Sequence, residues 1–175
     1  MLSDDSVIVI ARDSPARPDV RRLLDEHLAD MFATSPAESV HALDPDALAG
    51  PEITFLTARD GAVPGGGAVL DGGALLGCGA LKDLGAGEGE IKSMRTAQHA
   101  RGRGIAALLL TRILDEARNR GYDRVCLETG SQDFFAPARR LYARHGFVLC
   151  PPFADYLPDP NSVFMARSLS GPLTN

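Results

Sequence analysis

Arg101-Gly102-Arg103-Gly104-Ile105-Ala106 is the stretch on which the reading of this chain turns. Two glycines are followed by Ile105, Leu108, Leu109, Ile113 and Ala117, apolar residues at helical spacing. The pattern predicts a helix over 104–120 entered through a tight turn. Gly121 stands where a C′ glycine belongs, and Arg118 and Arg120 suit the negative end of the helix dipole. The first N–H groups of such a helix have no internal partners and lie at the positive end of its dipole, so they favour an anion. The backbone of Gly102 to Ala106 is therefore the expected cradle. The side chains of Arg101 and Arg103 either join it or stay solvated. This is not a dinucleotide fingerprint, because Ala107 occupies the position of its third glycine.

Working outward, Val7, Ile8, Val9 and Ile10 predict a buried strand over 6–12, and Val20, Leu23, Leu24, Leu28 and Met31 a helix over 18–31 with Pro18 near its start. Residues 34–50 are polar and proline-interrupted, with a short helix expected over 45–49. Strands are expected over 53–58, 74–84 and 90–96. Gly77 and Gly79 in the second of these weaken it or mark close backbone approach. The glycine-rich connection 60–73 lacks the Lys-Ser or Lys-Thr and the helix that a phosphate loop requires, and reads as a flexible link. Downstream, 124–129 is a strand with Val125, Leu127 and Thr129 on one face. Residues 134–145 are a helix with Pro137 in its first turn, and 147–150 and 161–169 are the last strands. The sum is one α/β (α+β) domain over 1–175, a mixed sheet of six to seven strands flanked by about four helices.

Hydrophobic residues make up 45% of the 175 and charged residues 23%, an ordinary globular balance. The net charge of −5 argues against a general nucleic-acid binder and tolerates a cationic substrate such as an amine. Cys78, Cys126 and Cys150 are odd in number and widely spaced, which predicts reduced thiols and no metal site; Cys126, in an alternating run, reads as a small buried apolar residue. The acidic start is unlike a signal peptide, and the longest aliphatic run, 105–110, is too short to cross a bilayer. A cytoplasmic protein without membrane partners is expected.

Arg101-x-x-Gly104-x-Ala106 resembles the Arg/Gln-x-x-Gly-x-Gly/Ala motif of the GNAT superfamily of acetyl-CoA-dependent N-acetyltransferases. Glu90-Ile91-Lys92-Ser93-Met94 resembles that family's fourth strand. Leu141-Tyr142-Ala143-Arg144-His145-Gly146-Phe147 resembles its late helix-to-strand segment. The order of elements from 7 to 169 agrees. Two further stretches, Ser35-Pro36-Ala37-Glu38-Ser39-Val40-His41-Ala42-Leu43-Asp44 and Phe153 onward to Asp159-Pro160-Asn161-Ser162-Val163-Phe164-Met165, are similar to a bacterial subgroup.

The resemblance implies the GNAT fold and acetyl-CoA as cofactor, with its pyrophosphate on Arg101, Gly102, Arg103, Gly104, Ile105 and Ala106. Its pantetheine arm would run along Met94, Arg95 and Thr96. It implies direct acetyl transfer to a small-molecule or protein amine, with oxyanion donors freed by a bulge or splay near Met94. Glu90 matches the family's strand-four glutamate and is the candidate base; a protonated amine has no lone pair until a base removes its proton. Strand alternation puts Glu88, Glu90, Lys92 and Met94 on one face, so Glu88 competes, and a solvated glutamate paired with Lys92 is the plain alternative. Tyr142 is the candidate acid for the leaving thiolate, its alternative being a ring packed in the core. Where many relatives carry asparagine, seven positions before that tyrosine, this chain has Phe135; Ser131 or Gln132 could make the polar contact instead. Ser39, His41, Tyr156 and Asn161 are the expected acceptor-lining residues, against capping or turn roles for Ser39, His41 and Asn161. The family pattern also leaves room for a homodimer and for a non-catalytic acyl-CoA-binding or regulatory module.

Overall fold

A computed structural model describes residues 7–61 and 73–170. The glycine-rich connection expected over 60–73 lies almost wholly outside the described residues. Within them the chain runs β1 (Val7–Arg12), α1 (Pro18–Thr34), β2 (Ile53–Gly61), β3 (Leu75–Gly85), β4 (Glu88–Thr96), α2 (Ile105–Asn119), β5 (Arg124–Gly130), α3 (Ala136–Arg144), β6 (Val148–Leu149) and β7 (Ser162–Ser168). These strands make one seven-stranded sheet in the order β1-β2-β3-β4-β5-β7-β6. Every neighbouring pair is antiparallel except β4–β5, which α2 joins as a crossover.

Among the described residues three α-helices stand where about four were expected. The segment 45–49 forms only a 3-10 turn, Ala47–Ala49, because Pro45 and Gly50 leave too few residues for a hydrogen-bonded α-turn to propagate. The late helix begins at Ala136, two residues after its expected start, with Pro137 in the first turn and a 3-10 turn over Asp133–Phe135 before it. β4 begins two residues earlier than expected, at Glu88.

The core is built from the apolar side of α2 and the start of α1 against the sheet. α2 buries Ile105, Leu109, Leu110, Ile113, Leu114 and Ala117. Leu108, expected on that stripe, is 44% exposed instead. The helix turns a broader side inward than the simple stripe suggested, and Leu108 falls beyond its edge. Gly77 and Gly79 of β3 let α2 approach. A Cβ on Gly77 would sit 3.0 Å from Ile105 and 3.2 Å from Leu109, and one on Gly79 would sit 3.0 Å from Ile113 and 2.4 Å from Met94 Sδ. Close backbone approach is therefore the reason for both glycines. Gly121, with φ +72°, closes α2 in a Schellman arrangement: its N–H donates to Arg118 O and that of Tyr122 to Ala117 O. Among the described residues no helix is long and apolar enough to cross a membrane, and no His, Cys, Asp or Glu cluster could hold a metal ion.

Candidate active site

The parallel pairing of β4 with β5 runs from Glu88–Arg124 only as far as Ile91–Leu127. Beyond that point β4 keeps β3 as its partner and β5 keeps β7, and the two strands part. The splay that the oxyanion donors require is thus present, and a bulge accompanies it. On β3 the single residue Gly79 separates Cys78 from Ala80, while on β4 both Ser93 and Met94 separate Lys92 from Arg95. Ser93 has φ +53°, in the left-handed region that costs a residue with a Cβ. The buried Cys78 thiol donates to Ser93 O at 3.4 Å, and the Ser93 hydroxyl itself is buried without a partner.

The bulge corrects the expected alternation. Met94 no longer shares a face with Glu90 and Lys92; its sulfur lies over Gly79 beside Ile113, on the α2 side. The parted strands leave a crevice of about 100 Å³ lined by His27 and Met31 of α1, by Ser93 and Met94, and by Glu128, Phe135 and Tyr142. Tyr142 packs edge-on against Phe147 at 5.7 Å and also lines the crevice. Burial pushes its hydroxyl well above the usual phenol range, so it remains a proton donor.

The glycine turn leads directly into α2. Gly102 and Gly104 have φ +78° and +75°, and open space surrounds the position of a Cβ on each. Gly104 is the N-cap of α2, and among the described residues no side chain caps the leading N–H groups. Arg101 is exposed, whereas Arg103 pairs with Asp60 at 3.3 Å. Thr96 faces Gly77 across the ladder. Arg95 directs its guanidinium to Asp30 of α1 at 2.6 Å, a use of the side chain that sequence spacing does not reveal.

Against the other face of β4 opens a cavity of about 1030 Å³. Its lining brings together all four expected acceptor residues, Ser39, His41, Tyr156 and Asn161, with Glu90 and Lys92. Asn161 bridges Ser39 Oγ, at 3.4 Å, and the Gln132 amide, at 3.0 Å. Glu88 is not part of this lining; it pairs with Arg124 at 3.3 Å. Glu90 does pair with Lys92, at 3.1 Å, but it is 2% exposed and not the solvated glutamate of the plain alternative. Its Oε1 also accepts a hydrogen bond of 2.5 Å from Tyr156 Oη. Lys92 Nζ further donates to Tyr156 Oη at 2.8 Å and to His41 O at 3.1 Å. His41 and Lys92 line both the cavity and the crevice.

One carboxylate was missed from the sequence. Glu128, on β5 just past the last β4–β5 pair, lines the crevice, and burial raises its pKa above the usual carboxylate value while His41 and Lys92 oppose the rise. Strand alternation could have found it, since Glu90 faces Cys126 and Glu128 lies two residues further along the same face. Phe135, in the place of the family's asparagine, is buried over Gly130 and adds an apolar wall to the crevice.

The Acetyltransferase (GNAT) family profile matches residues 20–147. An uncharacterized N-acetyltransferase, YsnE, of Bacillus subtilis (strain 168) is 50% identical over 148 residues, covering 84% of this chain and 90% of that protein. An IAA acetyltransferase of Azospirillum brasilense is 42% identical over 166 residues, covering 93% of this chain and 98% of that one. Among solved structures, a candidate acyl-CoA N-acyltransferase from Klebsiella pneumoniae superposes with a TM-score of 0.71 at 27% identity, covering 93% of this chain and 98% of that one.

Proposed function

This chain belongs to the GNAT family of acetyltransferases, and from that premise we propose that it acetylates a primary amine bound in the cavity beside Glu90, with Glu90 accepting the amine's proton and Tyr142 protonating the leaving thiolate. Acetyl-CoA is the acetyl donor of this family, and bound acetyl-CoA supplies an activated thioester carbonyl. The chain fits it: the leading N–H groups of α2 are uncapped, Gly102 and Gly104 leave room for close approach, and β4 and β5 part where a thioester arm needs to enter. The observation that carries the reading is that cavity and crevice share His41 and Lys92 in their walls. On this reading an amine in the cavity approaches a carbonyl held in the crevice past these two residues.

Each group has a defined task. The β4 N–H groups released by the splay and the Ser93–Met94 bulge are donors for charge developing on the carbonyl oxygen. Glu90, buried at the cavity wall, takes up the amine's proton, which frees the attacking lone pair. Tyr142, kept protonated by burial, is the donor available to the sulfur. Ser39, His41, Tyr156 and Asn161 form the walls that orient the acceptor.

Thiol release from acetyl-CoA, followed by mass spectrometry of the products, tests the reading. The acceptor panel spans alkylamines, amino acids, peptide amines and IAA, the compound in the name of the Azospirillum relative. An acetylated amine formed with stoichiometric thiol is the expected result. CoA binding by calorimetry with no amine acetylated across the panel would overturn it.

A further inference from the structure

The hydrogen bonds around Glu90 tie its carboxylate to a phenol of the cavity wall. Lys92 uses all three of its N–H donors, on Glu90 Oε1, Tyr156 Oη and His41 O. Glu90 is almost wholly buried, and its Oε1 already accepts from both Lys92 and Tyr156. The Tyr156 oxygen has one O–H, given to Glu90, and two lone pairs, of which Lys92 takes one. The other lone pair belongs to a half-buried residue of the cavity wall. We propose that Tyr156 relays the acceptor's proton to Glu90, so that the base acts through the phenol rather than on the amine directly.

The step balances. One N–H bond of the ammonium breaks as a new O–H forms on Tyr156, and the phenol's original O–H breaks as a new one forms on Glu90 Oε1. The ammonium becomes a neutral amine with a lone pair, the carboxylate becomes a carboxylic acid, and Tyr156 ends as it began. Lys92, 2.8 Å from the oxygen, offsets negative charge there during the exchange. Burial and the neighbouring carboxylates Glu90 and Glu128 hold the phenol strongly protonated, so a free tyrosinate is disfavoured and the two transfers are concerted. The ring is clamped for this task by edge contacts with His41 at 5.1 Å and Phe153 at 5.0 Å, and a tilted one with Phe164 at 5.4 Å. Such clamping keeps the oxygen aimed at Glu90 while acceptors exchange.

The inference rests on the acetyl transfer proposed above, and the experiment separates the two. Using an alkylamine that the full chain acetylates, rates are measured for the wild type and Tyr156→Phe in mixtures of light and heavy water and across pH. The phenylalanine keeps the ring contacts and removes only the relay oxygen. A fall in kcat/KM of about 100-fold is expected, with unchanged CoA affinity by calorimetry. The wild type should show a bowed proton inventory, two protons moving together, and the variant a linear one. A bowed inventory or undiminished rate in Tyr156→Phe, or a rate loss that follows lost CoA binding, overturns the relay while leaving acetyl transfer standing. Absence of turnover by the wild type with every amine overturns both.

Discussion

Ile91 and Leu127 are the last residues to face each other across the parallel β4–β5 pair. Past them each strand retains only its outer neighbour, so backbone groups that a continuous ladder would consume become available to a ligand. The bulge at Ser93 and Met94 follows directly on β4, and the crevice lined by Tyr142 and Glu128 fills the gap. Strand separation and backbone bulge together open a crevice in the sheet centre.

The two glycines flanking α2 give a controlled comparison. Gly104 and Gly121 both have positive φ, +75° and +72°, and a Cβ on either meets nothing within 4 Å. Alanine at either position should therefore cost about 1 kcal/mol of stability through backbone conformation alone. Only Gly104→Ala should also weaken CoA binding, by about tenfold, because only that end of the helix presents free N–H groups. Calorimetry with CoA alongside urea unfolding checks this; equal CoA affinity in the two variants would remove the pyrophosphate from the turn.

Glu90→Gln keeps the hydrogen-bonding shape of the side chain and removes its capacity to take a proton. We expect kcat/KM to fall about 100-fold and the lower limb of its pH profile to disappear, measured by thiol release against pH. An unchanged limb would transfer the base role elsewhere, with Glu128 the next carboxylate to vary.

Tyr142→Phe retains the edge contact with Phe147 and deletes the hydroxyl. A drop in kcat of about 10- to 100-fold with CoA affinity intact is the expected outcome. Turnover at the wild-type rate would leave the residue a core-packing aromatic and nothing more.

Histidine 27 supplies a stability signature. Burial first, and the charge of Arg95 second, lower the pKa of His27 from 6.5 to about 4, against the opposing pull of Asp30. As pH falls through 6.5 the unfolded chain binds a proton that the folded chain refuses, so stability is complete above 6.5 and lost down to about 4. Between pH 7.5 and 4.5 the wild type should lose about 2 kcal/mol more than His27→Gln in urea unfolding. Parallel losses in the two proteins would show that His27 titrates normally.

Much of the fold was legible in residue order. Helix α2 announced both of its ends, because Gly104 and Gly121 act on their own backbone dihedrals and need no distant partner. The strands of the sheet followed from β-branched and alternating runs for the same local reason. The short stretch around Pro45 misled, since a helical composition cannot propagate through so few residues.

The sequence by itself determined the glycine turn at the start of α2, the order of strands and helices, and the residue types that Glu90, Tyr142 and the Arg101 to Ala106 segment offer to the proposed chemistry. Tertiary structure alone decided which of those groups touch. The Ser93 bulge sent Met94 to the face opposite Glu90, Arg124 drew off Glu88, and Asp30 claimed Arg95. Tyr156 and Glu90, 66 residues apart, share a 2.5 Å hydrogen bond. Local dihedral preferences extend over a few residues and can be read in order. A contact between distant side chains depends on which strands lie side by side and where their pairing stops, and that is settled only when the sheet has closed around its core.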